Sequence, residues 1–280
     1  MSHAAAQFSL AQQHVTLRYD LGAEEVAQLT GALLDKHPTS ETGRYACYVI
    51  DGENSYSNLG RSVEAIVFES TFGNDAATMQ EEYGIYEHAS SFFLIVDKES
   101  RSPVGVLRVI ANSPAGLKTI VDIEKSPLGI SLQEMTLFHG IDTLDNCWDI
   151  GTLAVVGKER GSASDFMVST ALYRTLYVEA VKGDVEHLIS IIDQRAYESL
   201  QFLGVRFVPM VHSDYFSYLD SPKSMAVYGH VTDFLDAHKS YEASLTPRVR
   251  EMIGPYLSRL MSGTDVPEPV TIRNAGLTVS

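Results

Sequence analysis

The sequence is poor in the residues that build disulfide frameworks and metal centres. Its 280 residues include only two cysteines, Cys47 and Cys147, which lie far apart and in no CxxC spacing. Neither a disulfide framework nor a cysteine-based zinc site is therefore predicted. The nine histidines show no HExxH or similar ligand spacing, so we expect no metal.

Positive charge and long apolar runs are also scarce. The chain has 21 lysines and arginines against 36 aspartates and glutamates, a formal net charge of −15. This balance disfavours a nucleic-acid partner, because phosphate binding normally needs a basic face. No apolar run approaches the roughly 20 residues that span a bilayer. The start, MSHAAAQFSLAQQH, has neither the basic nor the apolar region of a secretory signal, so we expect a cytoplasmic protein without a membrane span.

The remaining composition is that of a globular protein, with 45% hydrophobic and 20% charged residues. Its length predicts one core domain with extensions at both ends. We expect an N-terminal extension with one helix (1–44), a core domain (45–232) and a C-terminal helical extension with a tail (233–280). Two short helices split by Pro247 and Pro255 are predicted in the last part, followed by a loosely held end. The sequence favours no particular oligomeric state.

The first half of the core predicts a strand, two helices and a hairpin. RYACYVIDG has the pattern of a strand, and NLGRSVEAIVFESTFG that of an amphipathic helix with Val63, Ile66 and Val67 facing inward. A second helical piece is predicted at DAATMQEEYGIYEH. The two apolar runs of SSFFLIVDKESRSPVGVLRVIAN flank a charged turn and predict adjacent antiparallel strands. The segment 113–146 is expected to form a partly helical connection that influences specificity.

The second half has a sharper pattern. CWDIGTLAVV predicts a strand, GKERGSASD a loop, and residues 164–182 a long helix. HLISIID then predicts a strand, and QRAYESLQFLG a short helix closed by a glycine. Two further strands are predicted at VRFVPMV and KSMAVYGHV.

This order of elements resembles the GNAT acyltransferase superfamily. The segments that carry the resemblance are CWDIGTLAVV, GKERGSASD and HLISIID, within residues 45–232. The resemblance implies an α/β (α+β) fold, in which helices flank a mixed central sheet that splays between its fourth and fifth strands. It also implies an acyl-CoA donor in the gap, with its pyrophosphate on the loop before the long helix.

The sequence is also similar to the bacterial autoinducer (acyl-homoserine-lactone) synthases and to the related N-acyl amino acid synthases. The residues that match their strand motif and their Gly-x-x-Arg-Leu motif are Trp148, Asp149, Ala154, Val155, Gly105 and Arg108. Gly151 and Thr152 stand where the strand motif has serine and arginine. This branch implies acyl carrier protein as a possible alternative donor.

The loop and the start of the long helix are predicted to bind the donor pyrophosphate. Amide groups at a helix start lack intrahelical partners and carry partial positive charge, so they suit phosphate oxygens. Basic side chains and glycines in the loop add donors and permit close approach. The predicted donor-binding residues are Leu153, Val155, Lys158, Arg160, Gly161, Ser162, Ala163 and Ser164. The alternative is that a serine only caps the helix and that the basic pair is solvated.

Acyl transfer from a thioester to an amine needs a bound thioester, a deprotonated amine and donors for the oxyanion. A backbone N–H of the splayed strand is expected to stabilise the oxyanion. We expect Asp149 to be the base, with Glu124 and Asp122 behind it. Tyr197 or Tyr173 is expected to protonate the leaving thiolate. Each of these side chains also has a purely structural interpretation.

Two further residues are assigned to the substrate. Arg108 lies on a central strand, where a charge is expected to bind a substrate carboxylate or to form an internal ion pair. Trp148 ends an aromatic run that is expected to line an acyl or acceptor pocket, or to pack in the core. Strand alternation predicts that Asp149, Gly151 and Leu153 share the face toward the acceptor, and that Trp148 faces the core.

The sequence thus predicts an enzyme, a GNAT-like N-acyltransferase that moves an acyl group from acyl-CoA to the amine of a small molecule. Two alternatives remain. One is a GNAT-like domain without catalysis that binds a ligand or a partner, and the other is an N-acyltransferase that uses acyl carrier protein. The sequence specifies neither the acceptor amine nor the length of the acyl chain.

Overall fold

The structure is a computed structural model that describes residues 16–40, 43–157, 163–211, 213–262 and 268–274. Within these residues, nine strands form one mixed sheet in the order β6-β8-β5-β4-β3-β2-β1-β9, with β7 paired to β8. None of the helices in the same ranges is long and apolar enough to cross a bilayer.

The elements follow the chain in mixed order. The strands are β1 (Tyr45–Asp51), β2 (Ser90–Asp97), β3 (Ser102–Ala111), β4 (Cys147–Val155), β5 (His187–Asp193), β6 (Val208–Pro209), β7 (Phe216–Tyr218), β8 (Ser221–His230) and β9 (Val270–Ile272). The α-helices are α1 (Ala23–Lys36), α2 (Ser57–Phe72), α3 (Ala76–Tyr83), α4 (Lys118–Ile123), α5 (Leu132–His139), α6 (Ala163–Lys182), α7 (Gln194–Phe202), α8 (Val231–Ser244) and α9 (Pro247–Ser262), and a 3-10 helix spans Gly84–Ala89.

The sheet changes direction at its centre. Strands β1 to β4 form an antiparallel meander, β4 and β5 run parallel, and β5 pairs antiparallel with β8. The parallel pairing joins only Cys147–Asp149 to residues 187–189, after which the two strands diverge. This splay confirms the fold class predicted from the sequence.

Each face of the sheet carries its own apolar core. Helices α6 to α9 pack on one face, with Leu172 of α6 fully buried there. Helices α1 and α2 pack on the other face, through residues such as Leu33 and Leu59. The close approach of α6 depends on Gly105 of β3, because a Cβ added there would lie 2.4 Å from Cγ1 of Val168.

We expect Gly105→Ala to lower the free energy of unfolding by roughly 1 to 3 kcal/mol, since overpacking displaces the helix. Gly84→Ala is the control, because a Cβ at Gly84 meets nothing within 4 Å. Urea unfolding measures both variants. Equal stability of the two would contradict the close packing of α6 against Gly105.

The buried face of α2 differs from the predicted one. Val63 is buried as expected, but Ile66 is 55% exposed, and the charged residues Arg61 and Glu64 are fully buried. The apolar periodicity was misleading because α2 buries an ion-pair network instead of a purely apolar stripe.

The C-terminal part also differs from expectation. Strand β6 is only two residues long, and Pro209 within it lacks the N–H that a longer ladder needs. Pro255 lies inside α9 and does not split it, whereas Pro247 begins that helix. Residues 270–272 are not loose, because they pair in parallel with β1. The connection 113–146 is partly helical, as predicted.

Candidate active site

The splay leaves one edge of β4 open. Within the described residues, β4 has no ladder partner on its β5 side beyond Asp149, and β5 continues to Asp193 paired only with β8. At the point of divergence, Ser190 Oγ donates a hydrogen bond of 2.8 Å to the carbonyl oxygen of Ile150. A gap therefore opens in the middle of the sheet.

An apolar cavity lies on the α6 and α7 side of the gap. Its walls include Leu107 of β3, Tyr173 and Leu176 of α6, Leu200 of α7 and Val227 of β8. Nearly all of its lining side chains are aliphatic or aromatic. Such a surface suits a hydrocarbon chain, because burying apolar area is favourable without directional partners.

A polar cleft lies on the opposite side of the gap. Phe68 and Phe72 of α2 line it, together with Tyr83, Tyr218 and the carboxylate residue Asp193. Several hydroxyl groups complete its wall. This surface suits a small molecule that has both a polar group and an apolar part.

The apolar cavity and the polar cleft meet at the gap. Five residues line both of them: Ile150, Leu153, Ser190, Ile192 and Ala196. All five belong to β4, β5 or the start of α7. Two ligands that enter from opposite faces of the sheet can therefore contact one another between the splayed strands.

A β-bulge at Gly151 sets the side-chain directions along β4. Arg108 of β3 is opposite Thr152, but the next residue, Val109, is opposite Ile150, so Gly151 is the extra residue. The bulge reverses the alternation that the sequence predicted. Leu153 consequently packs on the Ile150 side, and the prediction that it shares a face with Asp149 is wrong.

Asp149 lies behind the wall of the gap rather than in it. Its side chain is fully buried and lines neither the apolar cavity nor the polar cleft. The carboxylate accepts hydrogen bonds from the backbone N–H and the hydroxyl of Thr119, the latter at 2.8 Å. Burial raises the pKa of Asp149 to about 7, although the bonds from Thr119 oppose this rise. Asp149 therefore does not line the gap, contrary to the prediction that it faces the acceptor as the base.

The raised pKa of Asp149 predicts a pH-dependent stability. Between the ordinary aspartate pKa and about 7, the folded state holds a proton that the unfolded state has lost, so Asp149 makes stability fall as pH rises. We expect Asp149→Asn to remove this contribution, and the variant should gain stability relative to wild type between pH 5 and pH 8. Urea unfolding at several pH values measures the difference, with Asp35→Asn as an exposed control. A difference that does not change with pH would contradict this interpretation.

The two acids expected on the covering segment are placed differently. Glu124 is exposed and accepts a hydrogen bond of 3.2 Å from the backbone N–H of Leu132, so it supports the start of α5 and lies away from the gap. Asp122 lies closer, because it accepts a hydrogen bond of 2.6 Å from the hydroxyl of Tyr218 in the polar cleft. Burial would raise the pKa of Asp122, but Lys118 and its other hydrogen-bond donors hold that pKa below its usual value.

Arg108 forms an internal ion pair and does not face a substrate. It is fully buried, and its guanidinium contacts Glu64 through two hydrogen bonds of 2.9 and 2.6 Å. The same group donates to Glu87 at 3.3 Å and to the hydroxyl of Tyr19 at 2.6 Å. Of the two interpretations, the structure therefore shows the internal ion pair.

Trp148 packs in the core beside Phe93, with the ring centroids 6.2 Å apart and the rings edge to face. It lines neither the apolar cavity nor the polar cleft, so it does not contact a substrate there, contrary to one of the two predictions for this residue. The reason is its position on the paired part of β4, before the splay begins.

The two tyrosines proposed as acids differ in position. Tyr173 is buried in the wall of the apolar cavity, and burial raises its pKa well above the ordinary value, so its hydroxyl stays protonated. Tyr197 is half-buried on α7 and packs against the core without lining the cavity. The geometry therefore favours Tyr173.

The predicted donor-binding residues are only partly described. Leu153 lines both the apolar cavity and the polar cleft, whereas Val155 is half-buried against the core. Lys158, Arg160, Gly161 and Ser162 lie outside the described residues. Ala163 begins α6, and Ser164 lies in its first turn.

Asp193 lines the polar cleft, although the sequence pattern did not assign it to the site. Asp193 ends β5 and caps α7, because its Oδ1 accepts hydrogen bonds from the N–H groups of Arg195 (2.8 Å) and Ala196 (3.2 Å). Its Oδ2 has no hydrogen-bond partner among the described residues, and the half-buried side chain lines the polar cleft. An aspartate between a strand and a helix is a recognisable cap signal. The signal locates the helix start but not the cleft.

Comparisons with known proteins show the fold. No family model matches the chain, and none of the curated proteins searched matches it in sequence. The structure of FeeM, an N-acyl amino acid synthase from uncultured soil microbes, is similar with a TM-score of 0.52 at 15% identity, over 71% of this chain and 96% of FeeM.

Two other solved structures are less similar. The acyl-homoserine lactone synthase LasI has a TM-score of 0.46 at 13% identity, over 68% of this chain and 91% of LasI. BjaI, a CoA-dependent acyl-homoserine lactone synthase with SAM and isopentyl-CoA, has a TM-score of 0.44 at 12% identity, over 75% of this chain and 90% of BjaI. The likeness to FeeM, together with the strand order and the splay, confirms the expected resemblance: the chain has the GNAT-type acyltransferase fold.

Proposed function

We propose that the protein is an N-acyltransferase that transfers an acyl group from acyl-CoA to the amine of a small molecule. One observation carries this proposal: an apolar cavity and a polar cleft on opposite faces of the sheet share five residues at the splay. That arrangement brings a thioester from one face and an amine from the other within reach of each other. The similar fold of FeeM, an N-acyl amino acid synthase, supports the proposal.

The part of the site that binds acyl-CoA needs space for the acyl chain and a hydrogen-bond donor for the oxyanion. The apolar cavity provides the first through residues such as Leu176 and Leu200. The unpaired edge of β4 beyond Ile150 provides backbone N–H groups that no neighbouring strand uses. The segment 158–162, together with the start of α6, is proposed to hold the pyrophosphate.

Asp193 is proposed as the base of the acceptor half. The amine nitrogen attacks the thioester carbonyl carbon, a C–N bond forms, and the C–S bond breaks. Asp193 accepts the proton that the nitrogen loses. Tyr173 gives its proton to the leaving thiolate and regains one from Asp193, so both side chains return to their starting state. Oδ1 of Asp193 accepts the capping hydrogen bonds of α7, so Oδ2 is the oxygen that remains to accept the proton.

Thermal unfolding tests the donor half directly. A ligand that binds only the folded protein raises its stability by mass action. We expect octanoyl-CoA to raise the melting temperature more than acetyl-CoA or free coenzyme A, since only the longer acyl group reaches the apolar cavity. The absence of any shift with all three would remove coenzyme A thioesters as donors.

We expect Val205→Phe to shorten the acyl chain that the protein accepts. Val205 is half-buried in the wall of the apolar cavity, so a larger side chain there takes up space without disturbing a closed core. Loss of room for two methylene groups corresponds to about 1.6 kcal/mol, roughly a 15-fold weaker affinity for a long-chain donor. Calorimetry with dodecanoyl-CoA measures the effect, and acetyl-CoA is the internal control. Equal weakening of both donors would contradict the assignment of the cavity to the chain.

A further inference from the structure

Two hydroxyl groups of the polar cleft donate their protons to the backbone of β4. Tyr83 Oη donates to the carbonyl oxygen of Gly151 at 2.8 Å, and Ser190 Oγ donates to that of Ile150 at 2.8 Å. Burial raises the pKa of Tyr83 well above its ordinary value, so the phenol stays protonated and keeps donating. Neither proton is available to a ligand in the cleft.

Two more hydroxyl groups of the polar cleft donate to carboxylates behind its wall. Tyr218 Oη donates to Asp122 at 2.6 Å, and Thr152 Oγ1 donates to Glu64. Burial also raises the pKa of Tyr218, which keeps its proton on the phenol. Of the six hydroxyl groups that line the cleft, these four direct their protons away from it, and the other two belong to Ser221 and Ser224.

A hydroxyl group has one proton and two lone pairs. When the proton is committed to a partner behind the wall, only the lone pairs remain for a ligand. This part of the wall accepts hydrogen bonds from a ligand and does not donate them. An ammonium group, which only donates, matches it, whereas a carboxylate, which only accepts, does not.

The cationic side chains behind the cleft, Lys118 and Arg108, are already paired with other groups of the protein. The three N–H groups of Lys118 have three acceptors: Glu82 and Asp122, each at 2.7 Å, and the hydroxyl of Tyr218 at 2.9 Å. Arg108 is held by the buried carboxylates of α2 and the 3-10 helix. None of the described residues that line the cleft is a lysine or an arginine. A ligand carboxylate would thus be desolvated without a cationic partner, which is unfavourable.

The remaining walls of the polar cleft indicate the rest of the ligand. Asp193 adds a carboxylate with one free oxygen, which attracts a cation. Phe68 and Phe72 lie edge to face with their ring centroids 5.7 Å apart, and they offer an apolar surface for the body of the ligand. We infer that the acceptor is a cationic amine with an apolar or aromatic body and without a carboxylate beside the amine. This inference rests on the proposed acyltransferase function.

Three related amines separate charge from size. L-Phenylalaninamide and L-phenylalanine have almost the same size but differ by the carboxylate, and 2-phenylethylamine lacks both groups. The wild-type protein is supplied with octanoyl-CoA and each amine, and kcat/KM is measured from the N-acyl product at a pH at which all three amines are protonated. Calorimetry without the donor measures the binding of each amine separately.

We expect kcat/KM for 2-phenylethylamine and phenylalaninamide to exceed that for phenylalanine by roughly a hundredfold, because the site offers a carboxylate no cationic partner and places Asp193 beside it. Acylation of phenylalanine as fast as phenylalaninamide would overturn the inference while leaving the proposed function intact. Selective binding of the two carboxylate-free amines without any acylation would overturn the proposed function while supporting the charge selectivity of the cleft. No acylation and no selective binding would overturn both.

Discussion

Asp193→Asn is expected to lower kcat by roughly 10²- to 10⁴-fold, the range for loss of a general base. Asparagine keeps an oxygen that caps α7, so the N–H groups of Arg195 and Ala196 stay satisfied and the fold is retained. The same substitution replaces the free carboxylate oxygen in the polar cleft with an NH₂ donor. Donor affinity should therefore be unchanged, while amine turnover is lost. Steady-state kinetics and calorimetry with octanoyl-CoA measure the two effects.

Asp193→Ala is the control that separates capping from chemistry. It removes the cap as well as the charge, so it should also lower the free energy of unfolding by about 1 kcal/mol, whereas Asp193→Asn should not. If Asp193→Asn turns over at the wild-type rate across the pH range, Asp193 is only a helix cap and the base is elsewhere.

Arg108→Met is expected to lower the free energy of unfolding by roughly 3 to 5 kcal/mol, the largest stability effect that we predict. The substitution leaves Glu64 buried without its guanidinium partner, and Glu87 keeps only Arg61 of its two cationic partners. Burial would raise the pKa of Glu87, and Arg108 and Arg61 hold it below its usual value, so removing Arg108 favours the protonated acid. Urea unfolding at neutral pH measures the loss.

Two controls accompany Arg108→Met. Adding Glu64→Gln to it should restore part of the stability, because the second change removes the unpaired buried charge. Arg101→Met breaks an exposed ion pair with Asp35 and a long hydrogen bond of 3.5 Å to the carbonyl oxygen of Gly31, and it should change stability by less than about 1 kcal/mol. A loss for Arg108→Met as small as that for Arg101→Met would show that the buried network contributes little.

Much of the fold follows from local patterns in the sequence. The strand, loop and long helix between Cys147 and Lys182 were predictable because apolar alternation gives way to helical periodicity across a small polar loop. The hairpin of β2 and β3 was predictable from its charged turn. These elements, in their order, were sufficient to suggest the splayed sheet.

The candidate site was less predictable because it depends on long-range geometry. The bulge at Gly151 adds one residue to β4 and reverses the faces that strict alternation predicts, so Leu153 and Asp149 lie on different sides. The partner of Arg108 is Glu64, 44 residues earlier in the chain, and no local pattern joins the two. Asp193 was visible as a helix cap, but its position in the polar cleft follows only from the splay.

The gap between β4 and β5 is proposed to transfer an acyl group from a thioester to an amine. The most direct test incubates the full chain with octanoyl-CoA and 2-phenylethylamine, and quantifies both the N-octanoyl amide by mass spectrometry and the released thiol. We expect amide and thiol in equal amounts, at a rate that Asp193→Asn lowers by at least roughly 10²-fold. Donor binding seen by thermal shift, with neither amide nor thiol formed above the rate in buffer for any amine tested, would contradict this proposal.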